Sequence, residues 1–273
     1  MWQIDYRTSN LVSSHRGTLP VLIACPHGGN VIPDGVPADR TGKGLPANCD
    51  FENSRDLFTR ELTRGVAQQV LELFGEAPYV VIGDFDRKRI DANRRRACAF
   101  EVPAAAPFYD EYHATLRNFV DEIRAENAGL GLMFDIHGTA GIAGDPAEIF
   151  LGTANGQTVA RLLRADPHAL FRRRSLRGYL QAAGLAVSPP QPGPEVPSLS
   201  GGFSVRTYGS SHADGIDAVQ LEITTPHRTE PDKRQALADV LAQAFGNLAA
   251  RYVDARTLAC DGNLAGALVG TQA

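Results

Sequence analysis

The 273-residue sequence predicts an α/β fold. Short apolar runs alternate with segments whose apolar residues recur at helical spacing. Two of the runs, Val21-Leu22-Ile23-Ala24-Cys25 and Gly131-Leu132-Met133-Phe134, are apolar without alternation. That pattern predicts strands covered on both faces, as in a parallel sheet. Each run leads into a histidine followed by glycine, in Pro26-His27-Gly28-Gly29 and in Asp135-Ile136-His137-Gly138. Ligands in open α/β sheets bind beyond the carboxyl ends of the strands, so the two imidazoles mark a candidate site.

The elements follow in order. Leu57, Phe58, Leu62, Val66, Val70, Leu71 and Phe74 predict one face of a helix over 56–74. Tyr79-Val80-Val81-Ile82 reads as a strand, and Tyr112, Leu116, Phe119, Val120 and Ile123 predict a helix over 109–127. The His137 strand comes next, then a strand and turn over 148–153. Helices are expected over 158–163 and 175–184, a strand over 218–223 and a long helix over 232–253. Five prolines between Ser188 and Pro197 forbid regular structure there. This stretch is expected to be an ordered surface loop rather than a domain boundary, because the strand at 218 most naturally rejoins the same sheet. The chain reads as one domain over 1–273, with a loose Gly- and Ala-rich tail from about residue 262.

Composition narrows the function. With 43% hydrophobic and 21% charged residues the chain is an ordinary globular one. A net charge of −4 gives no support for a nucleic-acid surface, and no apolar stretch is long enough to span a bilayer. The N-terminus lacks the apolar segment of a secretory signal, and Cys25, Cys49, Cys98 and Cys260 have no CxxC spacing. They are expected as free thiols, and a reducing cytoplasm as the location.

Three groups of residues carry the candidate chemistry. His27 and His137 suit a metal, and a catalytic zinc takes a third protein ligand from His or carboxylate. Asp50 and Glu52, just before the first long helix, are both candidates for it, and Asn30 is a weaker one. The competing reading is a histidine that merely caps a turn. Glu222 is a carboxylate inside an apolar strand, sharing one face with Gln220. In a sheet covered on both faces it needs a partner or a raised pKa; on a half-exposed edge strand it simply faces water. The cluster from Arg87 to Arg96 supplies arginines suited to carboxylates, with Arg206 a further one. A solvated basic loop is the alternative, and the one expected for Arg95 and Arg96. The turn Leu151-Gly152-Thr153-Ala154-Asn155-Gly156 lacks the glycine pattern of a nucleotide-phosphate loop.

In order, these segments resemble the N-formylglutamate amidohydrolase family. The resemblance rests on Pro26-His27-Gly28-Gly29 with Ile32-Pro33, on Ile90-Asp91-Ala92-Asn93-Arg94 and on Asp135-Ile136-His137. It continues through Leu151-Gly152-Thr153 with Asn155-Gly156, Gly201-Gly202 with Arg206 and Tyr208-Gly209, and Val219-Gln220-Leu221-Glu222. It implies a three-layer α/β fold like that of zinc carboxypeptidases, a mixed, mostly parallel sheet flanked by helices, with one catalytic Zn2+. It implies His27 and His137 as metal ligands, with an acidic residue between them, Asp50 or Glu52, completing the site. Glu222 is implied as general base and Asn93-Arg94 as the clamp on a substrate carboxylate. Arg87 or Arg206 is implied to polarise the scissile carbonyl or to hold a second carboxylate.

The expected activity is zinc-dependent hydrolysis of an N-acyl amino acid, with N-formyl-L-glutamate the best single substrate. The expected partner is thus a small molecule carrying a carboxylate, with no nucleic acid and no membrane. Asp50-Phe51-Glu52 departs from an acidic-tryptophan motif of the family's histidine-degrading members. A carboxypeptidase-like hydrolase of another acyl-amino acid or small peptide is the alternative enzyme. A metal-free binding module is the alternative outside catalysis, favoured by Asn30 where carboxypeptidase spacing places Glu.

Overall fold

The computed structural model describes residues 3–253. A hairpin of β1 (Arg7–Ser9) and β2 (Val12–His15) precedes β3 (Leu19–Cys25), α1 (Thr59–Phe74), β4 (Pro78–Gly83), α2 (Arg96–Ala99) and α3 (Ala106–Glu126). Then come β5 (Leu132–Thr139), β6 (Ile149–Gly152), α4 (Ala160–Ala165), α5 (Leu176–Ala182) and β7 (Val187–Ser188). The described chain ends with α6 (Phe203–Tyr208), β8 (Asp217–Thr224), α7 (Thr225–Thr229) and α8 (Pro231–Tyr252). The tail expected to be loose from 262 lies outside the described residues.

The strands form one sheet in the order β1-β2-β4-β3-β5-β8-β6-β7. Its middle, β4-β3-β5-β8, is parallel; β1 against β2, β2 against β4 and β6 against β8 are antiparallel. This is the mixed, mostly parallel sheet expected. After β3 the chain crosses through α1 to β4 on one side, then returns through α3 to β5 on the other. Strand addition therefore reverses between β3 and β5. Connections diverge at such a reversal and leave a crevice at the carboxyl ends, where His27 and His137 stand.

Every residue of β3 is buried, as its unalternating apolar run requires. Val21, Ile23, Phe134, Ile136, Leu221 and Ile223 pack with α1 and α8 on one face. Leu22, Ala24, Val81, Met133 and Ala218 pack with α3 on the other. Period two then puts Gln220 and Glu222 on the α3 side, and β8 is an interior strand, not an edge. The proline-rich stretch leaves β7 without regular structure as far as a single turn at Pro197–Leu199, and β8 rejoins the same sheet.

The cysteine expectation needs correcting. Cys49 and Cys98 form a disulfide, with Cα atoms 5.5 Å apart, while Cys25 is free and buried. The two lie 49 positions apart in sequence, so spacing gave no sign of the bond. Folding lays the loop before α1 against the start of α2, where Arg94 Nε donates to the Asp50 carbonyl at 3.1 Å. The cysteines therefore give no ground for a reducing compartment. No helix of the described residues is long and apolar enough to cross a membrane.

Candidate metal centre and active-site cavity

His27 follows β3 and His137 lies on β5, and the neighbouring ends of these strands bring the two rings within 4.9 Å, edge to face. The glycines after them permit tight cover. A Cβ on Gly28 would lie 2.5 Å from the Arg60 amide nitrogen, and one on Gly138 would lie 2.4 Å from the Arg228 guanidinium carbon. Both histidines are almost wholly buried, at 1% and 2% exposure.

The third member is Asp56, itself buried, whose Oδ2 lies 3.4 Å from His27 Nδ1 and 3.3 Å from His137 Nδ1. One donor atom from each of the three residues fits within a span of 4.8 Å. Asp56 is placed by backbone contacts. Its amide donates to the His27 carbonyl at 3.1 Å, and its carbonyl accepts from the Thr59 hydroxyl at 2.8 Å. Between them Phe58 turns through φ 63°, a conformation costly for an aromatic residue, which lets the chain enter α1 with the carboxylate aimed inward.

The far nitrogens of both imidazoles are held by other acids. His27 Nε2 donates to Asp91 at 2.7 Å, and His137 Nε2 donates to Asp135 at 3.0 Å. With the protons fixed there, the Nδ1 lone pairs face the space they share with Asp56 Oδ2. His27 Nδ1 is buried and hydrogen-bonded to nothing. Two imidazoles oriented by carboxylates, an orphaned nitrogen and a convergent carboxylate are what a zinc site requires, so the residues present fit the ion.

Electrostatics agree. Burial works against its charge, yet the Asp135 carboxylate and then Asp56 raise the His137 pKa well above its ordinary value: the acids demand a cation. Burial likewise opposes the charge of Asp91, but His27 and Arg87 hold its carboxyl well below the usual range. Glu222, beside His137 in the β5–β8 register, is pushed up to about 7 by burial, and Gln220 Nε2 donates to it at 2.7 Å.

His27, Asp56, His137, Gln220 and Glu222 line a cavity of about 560 Å³ that also includes Arg87, Asn93, Arg94, Gly201, Gly202 and Arg228. Arg87 is already engaged, at 3.1 Å from Asp91 and 3.5 Å from Asp56. Asn93 sits 3.2 Å from His137 Nε2 while its Oδ1 accepts from the Ser204 amide. Arg94 lies half-buried in the wall. Arg206 is not in the wall; its Nε donates to the Gly201 carbonyl at 2.9 Å.

The acids expected beside the histidines stand elsewhere. Asp50 is exposed and outside the cavity, and Asn30 is exposed. Glu52 reaches the wall, but its carboxylate accepts from the Asn53 and Ser54 amides at 2.7 and 2.6 Å. Asp56 was legible only as an acid at the start of a helix; α1 begins three residues later and leaves it free for the site. The Leu151–Gly156 turn also found an internal partner: the Thr153 and Asn155 amides bind the Glu195 carboxylate, each at 3.0 Å.

No family model matches this sequence, and no curated protein matches it. The structure is similar to that of N-formylglutamate amidohydrolase from Ralstonia eutropha JMP134, with a TM-score of 0.57 and 15% identity over 85% of this chain and 93% of that one. It is similar as well to a gene product of Agrobacterium tumefaciens, with a TM-score of 0.58 and 16% identity over 86% and 92% of the two chains. At such identities the likeness speaks for fold alone, and on that point it is plain: the chain shares the fold of N-formylglutamate amidohydrolase.

Proposed function

We propose that the protein is a zinc-dependent amidohydrolase that cleaves the amide of an N-acyl amino acid, with N-formyl-L-glutamate the best single substrate. One observation carries the reading. The Nδ1 atoms of His27 and His137 converge with Asp56 at the floor of a cavity that also holds a buried carboxylate and an arginine. The fold shared with an N-formylglutamate amidohydrolase supports the substrate class.

His27, Asp56 and His137 would hold the ion. When bound, zinc supplies a Lewis acid that polarises a carbonyl and acidifies water. Glu222 takes the proton from the attacking water and returns it to the departing amine, and a carboxyl titrating near neutrality suits both tasks. Arg94 binds the substrate's carboxylate and so orients the amide, which turns binding into rate. Asn93 anchors the start of α6 beside the cavity, its Oδ1 accepting from the Ser204 amide. Arg87 ties Asp91 to Asp56 and places positive charge beside the reacting carbonyl, where oxyanion character develops. Asp91 and Asp135 fix the imidazole tautomers.

The test is turnover by the zinc-loaded protein on N-formyl-L-glutamate, a panel of other N-acyl amino acids, and small peptides. Release of the free amino acid from at least one acyl-amino acid is expected. Turnover of peptides alone would move the reading to a carboxypeptidase-like enzyme, and turnover of nothing would end it.

A further inference from the structure

We propose that Arg228 is a positioning residue that locks the three chain segments of the site into one arrangement, and so sets the metal affinity of the His27–Asp56–His137 group. The inference rests on the reading of that group as a zinc site.

Arg228 lies in α7, and only 5% of it is exposed. It makes no ion pair with any carboxylate among the described residues. Its partners are backbone carbonyls instead, with the Thr225 hydroxyl a further acceptor at 3.4 Å from Nη2. Nε donates to Ile223 at 2.9 Å, Nη1 to Leu57, and Nη2 to Thr139 at 3.3 Å. Each carbonyl belongs to a segment that carries a site group. Leu57 follows Asp56, Ile223 follows Glu222, and Thr139 lies two residues beyond His137. Between His137 and Thr139, the Gly138 amide donates to Asp56 Oδ2 at 3.0 Å.

A planar fork of five donors can join three carbonyls at fixed angles, which an ammonium cannot do. Burying such a charge without a carboxylate is expensive, and burial indeed lowers the Arg228 pKa. A helix–sheet contact needs only apolar groups, so the charge at this place calls for another reason. The space is also cut to fit it, since Gly138 packs so closely on the guanidinium that a Cβ there would overlap it.

Its neighbour Arg234 tightens the same turn from α8. Arg234 donates to the Arg228 carbonyl at 2.7 Å, and its guanidinium lies 5.1 Å from the ring centre of Phe58, the residue in the left-handed conformation. The turn that aims Asp56 is thus held by its carbonyl on one side and by its aromatic ring on the other.

The experiment is competitive zinc titration of the full chain against a chromophoric chelator, for wild type, Arg228→Lys and Gly138→Ala, with urea unfolding of each metal-free protein alongside. Arg228→Lys keeps the charge and loses the fork; Gly138→Ala keeps the arginine and displaces it. Both are expected to weaken zinc binding about 10- to 100-fold, the range for groups that orient ligands. In Arg228→Lys the urea midpoint should stay near that of wild type, which separates positioning from bulk stability. If wild type binds zinc and both variants bind it equally well, the role of Arg228 is overturned while the metal site stands. A wild-type chain that binds no zinc overturns both. Should Arg228→Lys not fold, Gly138→Ala decides alone by its zinc affinity.

Discussion

The site histidines and His113, half-buried on α3, sit in opposite surroundings. His27 and His137 each give one ring nitrogen to a carboxylate and turn the other toward Asp56. His113, on α3, hydrogen-bonds no acid: Nε2 donates to the Ala92 carbonyl at 3.0 Å and Nδ1 faces the Tyr208 hydroxyl at 2.9 Å. Burial consequently pushes the His113 pKa down to about 4, whereas the acids around His137 raise its own despite burial. One ring is a neutral strut that props the 90–94 segment from behind. The other two sit in a frame that demands positive charge. Burial alone therefore does not mark a ligand; the company of the second nitrogen does.

The comparison can be broken at several points. Glu222→Gln removes the proposed base and leaves the frame of the imidazoles untouched. Turnover on the responsive substrate should fall at least about 100-fold with zinc still bound, and undiminished kcat would dismiss Glu222 from that role. Asp91→Asn keeps the shape of the partner of His27 and removes its charge. Zinc affinity, read by chelator competition, should drop about 10- to 100-fold; an unchanged Kd would make the frame incidental.

His113 gives the sharpening test. Its folded pKa lies below the unfolded value of about 6.5, so the stability it contributes is present above that pH and is lost as pH falls toward its folded value of about 4. Thermal unfolding of metal-free wild type and His113→Gln should converge over that interval, with the difference largest near neutrality. Parallel curves would remove the neutral strut. The smallest effect belongs to Asp50→Ala and Glu52→Ala. Neither should change zinc affinity by more than about twofold, because surface substitutions lie within about 0.5 kcal/mol. A large loss in either would return the third ligand to the exposed loop.

The long elements were legible because one physical signal dominates each. β3 and β5 read as buried strands from their apolar runs, and α3 and α8 read as helices from their period. The β1–β2 hairpin was not: Arg7-Thr8-Ser9 and Ser13-Ser14-His15 are polar, and their strand character comes from pairing, β1 with β2 and β2 with β4, rather than from pattern. At the site, the histidines announced themselves through His-Gly at the ends of strands, and Glu222 through its apolar flanks. Asp56 did not, because an acid ahead of a helix is expected to serve that helix. Only the placement of the loop between β3 and α1 turns its side chain inward. Arg228 and the Cys49–Cys98 disulfide were hidden for the same reason, since contacts between distant segments leave no local period to read.

The central claim is that His27, Asp56 and His137 hold one zinc ion. Its most direct test is zinc stoichiometry and affinity of the purified chain beside Asp56→Ala, measured by elemental analysis and chelator competition. The account predicts one tightly bound zinc per wild-type chain and loss of stoichiometric binding in Asp56→Ala. Wild-type protein without zinc, or Asp56→Ala with zinc bound as tightly as in wild type, would contradict it.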